Sequence, residues 1–277
     1  MIDFTGRVAW VAGAARRPGI GAAVAHLLAR HGAAVACVDV VAAEPTDADT
    51  SEVTQAALEA VVASVVAGGG RALALPVDLT DPDAVEASVA ATVEAFGRVD
   101  VCCNLSGGTG VRLGTGPLLD VTPEVWHRTL DANLTAAWLG SRACARRMIA
   151  QGDGGAIVSL ASSAAHTGEP EFGAFSAARA GVLRLTEVLA VELAPHGIRA
   201  NAVSPLGVAP ATGGGNPGLV HTARAHKGDV DAWVHDLIPL GRMQSPDETA
   251  NVVVFLASDA ASFVSGESVL VTGGARF

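Results

Sequence analysis

Two segments of this 277-residue chain carry residue types that can do chemistry. Near the start, VAGAARRPGIG (11–21) is a glycine-rich turn between a β-branched run and a helical stretch. Gly13, Gly19 and Gly21 let the backbone approach a pyrophosphate, whose charge is favoured by the N-terminus of a helix opening near Ile20. Asp39 closes the second β-branched run. There it can accept hydrogen bonds from both hydroxyls of an adenosine ribose and repel a 2′-phosphate, so NAD is expected ahead of NADP. Arg16 and Arg17 either neutralise phosphate or are plain surface charge. The second segment, IVSLASSAAHTGEPEFGAFSAAR (157–179), holds a hydroxyl at Ser162, an imidazole at His166, carboxyls at Glu169 and Glu171, and a guanidinium at Arg179. Histidine, ionising near neutral pH, is the best proton donor of this set in principle. The plainer reading makes His166 a solvent-facing loop residue and gives both glutamates to the start of the next helix, where acids suit the dipole. His221, His226 and His235 are weaker candidates. The chain has no tyrosine, so no phenol is available anywhere.

These residues need elements to hold them. Short β-branched runs alternate with alanine-rich stretches of helical length, the pattern of parallel strands joined by covering helices. Strands are expected at 7–12, 33–39, 72–78, 99–105, 156–162, 198–204 and 268–274, which suffices for a doubly wound Rossmann-type α/β fold with a seven-stranded parallel sheet. Helices are expected at 22–32, 51–70, 81–97 and 172–197, several closing on glycine. No linker or repeat divides residues 1–277, so one domain is expected. The glycine- and proline-rich residues 205–230 suit no regular element and are expected to form a flexible substrate loop.

Composition removes other classes of function. Half of the residues are hydrophobic, yet no aliphatic run reaches the roughly 18 residues needed to span a bilayer, so no membrane is expected. The N-terminus shows no basic leader with an apolar stretch behind it, so the cytosol is the expected compartment. A formal charge of −10 repels phosphate backbones, which argues against nucleic acid. Cys37, Cys102, Cys103 and Cys144 lack metal-ligand spacing and read as buried thiols, with Cys102 and Cys103 on opposite strand faces.

With these motifs in view, the chain resembles the short-chain dehydrogenase/reductase family over nearly its whole length. AGAARRPGIG is similar to the family's TGxxxGxG turn, with Ala12 for threonine and two extra residues between the first glycines. VDLTD (77–81) resembles the segment that meets adenine, which implies that role for Asp78 with Leu79 beside it. CNLSG (103–107) stands where the family has NNAG, keeping Asn104 and Gly107. DANLTAAWLGSR carries Asn133 at the place of the active-site asparagine, and Ser162 precedes Phe175 by the family's serine-to-tyrosine interval of thirteen positions. IRANAVSP and the stretch through the terminal glycines match the last third. Pro205 and Leu206 stand where the family has PG, and Thr212 lies two positions beyond the usual threonine.

The family's YxxxK pair reads Phe175 and Arg179 here. In the family the tyrosine exchanges a proton with the substrate, while the lysine holds the nicotinamide ribose and lowers the phenol's pKa. A benzyl ring has no proton to transfer, and loss of a positioned acid or base costs about 10²–10⁴ in rate. Arginine offers donors to ribose hydroxyls but does not relay protons. The resemblance therefore implies an NAD(P)(H)-binding oxidoreductase acting on a hydrophobic small molecule. Phe172 and Phe175 would form an apolar wall, Ser162 would donate to a substrate oxygen, and Asn133 would hold a water. Water, Ser162 or His166 would replace the phenol. The alternatives are a non-redox lyase, isomerase or cyclase on the same pocket, or a silent subunit paired with an active homologue. The family's habit implies a homodimer or homotetramer.

Overall fold

The computed structural model describes residues 2–16, 18–40, 54–208 and 230–275. Strands β1 (Val8–Ala12), β2 (Ala34–Asp39), β3 (Arg71–Pro76), β4 (Val101–Asn104), β5 (Gly155–Leu160), β6 (Ile198–Pro205) and β7 (Ser268–Val271) form one parallel seven-stranded sheet in the order β3-β2-β1-β4-β5-β6-β7. This is the expected doubly wound architecture. Among the described residues the helices are α1 (Ile20–Arg30), α2 (Gln55–Ala67), α3 (Pro82–Phe96), α4 (Pro123–Leu130), α5 (Ala136–Gln151), α6 (Gly173–Leu193), α7 (Val230–Leu237) and α8 (Pro246–Ala257). None is long and apolar enough to cross a membrane.

Every residue of β1, β2 and β4 is buried, because helices cover both faces of the sheet. On one face Val24 and Leu28 of α1, Leu58 of α2 and Val253 of α8 pack beneath Val11, Val35 and Cys103. On the other, Val85 of α3, Leu139 and Met148 of α5 and Leu193 of α6 pack beneath Trp10, Cys102 and Ile157. Cys102 and Cys103 thus point to opposite faces, and all four thiols are buried and free.

Several strands stop short of their expected ends for local reasons. β3 ends at Pro76, and Asp78 instead accepts from the N–H (2.9 Å) and hydroxyl (2.7 Å) of Thr80, closing a side-chain turn. β5 ends at Leu160 because Ser162 caps a one-turn helix, Ser163–Ala165. β7 ends at Val271 because Gly273 and Gly274 turn left-handed, at φ 62° and 90°. Of the expected substrate loop, Leu206 packs against Val234 and Ile238, and Val208 bridges to Gln244. Residues 209–229, with Thr212, His221 and His226, lie outside the described residues.

Strand order reverses between β1 and β4, which opens a crevice beyond their carboxyl ends. Asn104 fixes the floor of that crevice. Its buried Nδ2 donates to Ser141 Oγ on α5 (2.8 Å) and Ser159 Oγ on β5 (3.3 Å). Asn104→Ala leaves both hydroxyls without this donor and is expected to destabilise the fold by about 1–3 kcal/mol, read as a lowered denaturant midpoint at unchanged m-value.

Candidate active site

The turn after β1 is built on close approaches of main chain. Gly13 has φ +83°, and a Cβ there would sit 2.7 Å from the Leu105 carbonyl carbon and the Ser106 nitrogen of the turn after β4. A Cβ on Gly21 would land on the Gly13 carbonyl, and one on Gly19 would lie 2.6 Å from the Arg16 oxygen. Glycines are therefore required to bring the start of α1 against both turns. α1 opens at Ile20 without a side-chain cap and without an acid in its first turn. Its free N–H groups and positive dipole end suit an anion at the crevice.

Asp39 lies beside this turn, 8% exposed, with one carboxylate oxygen on the Ala15 N–H (2.7 Å) and the other on the Val40 N–H (2.9 Å). Burial pushes its pKa up, against these two N–H groups and the nearby Arg16 charge. Each oxygen retains acceptor capacity for a ribose hydroxyl. Arg17 lies outside the described residues. Asp78 is exposed, whereas the Leu79 side chain is in the core, leaving only main-chain groups of Leu79 for a ligand. The Asn104 side chain is likewise committed to the interior. The uncapped helix start, the glycine cradle and Asp39 together fit the adenosine and pyrophosphate of a dinucleotide.

Toward the opposite end of the crevice stands Arg179 on α6, 2% exposed. Its guanidinium donates to Leu160 O at the end of β5 (2.6 Å) and Ser106 O in the turn after β4 (3.2 Å), and lies 5.3 Å from the centre of the Phe175 ring. Among the described residues no carboxylate pairs with it, and its buried Nε finds no acceptor. Burial lowers its pKa to about 10, so it remains cationic at neutral pH. A buried, unneutralised donor of this kind suits the hydroxyls of a nicotinamide ribose. Gly107, at φ +108°, has no room for a Cβ, which would collide with Asn133 Oδ1 and the Arg179 guanidinium.

Asn133 sits on a π-helical turn, Asp131–Thr135, between α4 and α5, a deviation that rotates its side chain inward. Its Oδ1 accepts from the Gly108 N–H (2.9 Å), and its Nδ2 donates to Gly108 O (3.1 Å) and Thr129 O (3.0 Å). The side chain thus pins the turn after β4, and only its main chain is left for the expected water. Neither the π turn nor Gly108 was singled out in the sequence, and no periodicity marks them.

Ser162 is half-buried and accepts from the Ala164 N–H (3.2 Å). Phe172 and Phe175 meet edge to face at 6.3 Å and pack with Ala164 in one buried apolar cluster. His166 is placed elsewhere. Its Nε2 lies 3.0 Å from Ser204 Oγ on β6, and its ring lines a cavity of about 290 Å³ shared with Leu183, Glu187 and Glu267. Pro205 closes β6, buried.

Residues 13–276 match the family model described as enoyl-(acyl carrier protein) reductase. The chain is 40% identical to cis-4-hydroxycyclohexanecarboxylate dehydrogenase of Sinomonas cyclohexanicum, over 98% of this chain and 97% of that protein. Among solved structures it is similar to a short-chain type dehydrogenase/reductase from Mycobacterium marinum, with 31% identity and a TM-score of 0.83 over 98% of this chain and 96% of that one. Carveol dehydrogenase from Mycobacterium avium in complex with NAD gives 30% identity and a TM-score of 0.88 over 99% of each chain.

Gly21→Ala drives a methyl into the Gly13 carbonyl, so the turn must shift by overpacking worth about 1–3 kcal/mol. NADH affinity in a fluorescence titration is expected to fall about tenfold or more.

Proposed function

The chain belongs to the short-chain dehydrogenase/reductase family, and on that premise we propose that it is an NAD-dependent oxidoreductase acting on a small, largely apolar alcohol or carbonyl without a catalytic phenol. The observation that carries this reading is the buried Arg179 guanidinium, unpaired by any described carboxylate, on the same crevice as an uncapped glycine turn. Phe175 and Arg179 are read as occupying the positions of the family's tyrosine and lysine.

When bound, NAD supplies the hydride acceptor or donor. Gly13, Gly19, Ile20 and Gly21 present main chain to its pyrophosphate, and Asp39 accepts from the adenosine ribose. Asp78 and the Leu79 main chain border the adenine, with Pro205 and Gly107 flanking the nicotinamide end. Arg179 donates to the second ribose and holds positive charge where negative charge develops on substrate oxygen. Ser162 donates to that oxygen. Phe172 and Phe175 exclude water and favour an apolar ring, a reading supported by the relative named for a hydroxylated cyclohexane. Trp138 on α5 and Val188 and Val191 on α6 are exposed apolar side chains, which supports a homodimer or homotetramer.

NADH is expected to bind more tightly than NADPH. Asp39→Asn removes the charge that repels a 2′-phosphate and is expected to narrow that preference about tenfold, or 1.4 kcal/mol, in paired titrations. No binding of either nucleotide, or equal binding to the wild type, would sink the reading.

A further inference from the structure

We propose that His166 is a positioning residue, which holds the Ser162 hydroxyl in place by anchoring the turn behind it to Ser204 on β6. The proposal rests on the oxidoreductase reading above, in which Ser162 donates to the substrate oxygen.

Ser162 stands where the chain leaves the sheet. β5 ends at Leu160, and the Ala161 N–H still donates to Val203 O on β6 (2.8 Å). Beyond Ser162 the chain turns through Ser163–Ala165 on bonds of its own. The Ala164 N–H donates to Ser162 Oγ (3.2 Å), the Ala165 N–H to Ser162 O (3.0 Å) and the His166 N–H to Ser163 O (2.9 Å). A single turn of this type has poor hydrogen-bond geometry and little stability alone. The His166 ring returns it to the sheet, with Nε2 hydrogen-bonded to Ser204 Oγ (3.0 Å). Ser204 is fully buried, and its Oγ is bonded in turn to Ser268 Oγ on β7 (2.9 Å). Ser162 is therefore held to β6 from both sides, by Ala161 before it and by His166 after it.

Ser204 directly precedes Pro205, the residue read above as flanking the nicotinamide end. The bond from His166 thus sets the candidate hydroxyl against the strand end beside the cofactor. Ser162 Oγ accepts from Ala164 and keeps its own proton to give, and the turn fixes the position from which it is given. Reactions that depend on such placement lose about 10²-fold for a displacement of about 1 Å. The imidazole itself is not offered to the substrate. It lines a cavity with Leu183, Glu187 and Glu267, and none of Ser162, Phe172, Phe175 and Arg179 is among the described residues that line it.

The test compares the full-length wild type with His166→Ala, His166→Gln and Ser204→Ala, and repeats His166→Ala in a Ser162→Ala background. Glutamine keeps an amide nitrogen that can reach Ser204. His166→Ala and Ser204→Ala are expected to leave NADH affinity within about twofold and to lower kcat on a panel of cyclic ketones about tenfold or more, with KM within about threefold. Hydrogen exchange at the Ala164 and Ala165 amides, which needs no turnover, is expected to speed up about tenfold in both. His166→Gln is expected to restore rate and protection to within about threefold, and in the Ser162→Ala background His166→Ala is expected to cost less than about twofold. Unchanged exchange in His166→Ala overturns the proposal, whether or not a ketone is turned over, and so does an unchanged rate. A loss of equal size in the Ser162→Ala background also overturns it, because the effect is then general damage to the fold. So does a loss in His166→Gln as large as in His166→Ala, because the imidazole and not the bond is then what the reaction uses. Each of these results leaves the oxidoreductase reading standing, whereas failure of the wild type to bind NADH overturns both.

Discussion

Burying a guanidinium without a counter-ion is costly unless its donors are satisfied, and Arg179 meets that requirement only in part: two main-chain carbonyls take its terminal nitrogens, while Nε has no acceptor. The two carbonyls that hold it belong to the end of β5 and the turn after β4, so one side chain ties neighbouring strand ends into a single rim. The Phe175 ring stacks against the same charge. Gly107 must lack a side chain to let the rim close. Because no described carboxylate neutralises the cation, its field is left for whatever polar group enters the crevice.

The rest of the rim is held mainly by backbone. Gly13 lies against the Leu105–Ser106 peptide, Gly21 against Gly13, and Asn133 clasps Gly108 through both its donor and its acceptor. Contacts of this kind fix a loop within tenths of an ångström, since peptide groups have no rotamers to adjust. The π turn is the device that brings Asn133 into reach, at the expense of regular helix geometry between α4 and α5. Asn104 does the equivalent from below by joining β4, β5 and α5.

The ring at position 175 carries no hydroxyl, and that limits what it can do. Phe175 covers Ala164, meets Phe172 and supports Arg179, all of which are roles of shape and quadrupole rather than of proton transfer. The segment from Ser162 to Phe172 opens on a one-turn helix at Ser163–Ala165 capped by Ser162 and closes on the Phe172 N–H to Glu169 carbonyl bond.

The order of β-branched runs and alanine-rich stretches determined the sheet, its two covered faces and the opposite orientations of Cys102 and Cys103, because a period of two and burial on both sides leave few alternatives. The glycine spacing and Asp39 located the crevice, since only glycine permits the approaches found at Gly13 and Gly21. Tertiary structure alone decided how the polar side chains are used. Asn104, Asn133 and His166 spend their hydrogen bonds on the fold, on Ser141, Gly108 and Ser204, while Arg179 is left with an unpaired nitrogen. Which donor meets which acceptor depends on segments tens of residues apart arriving at the same edge of the sheet, and that information is carried by packing rather than by local spacing.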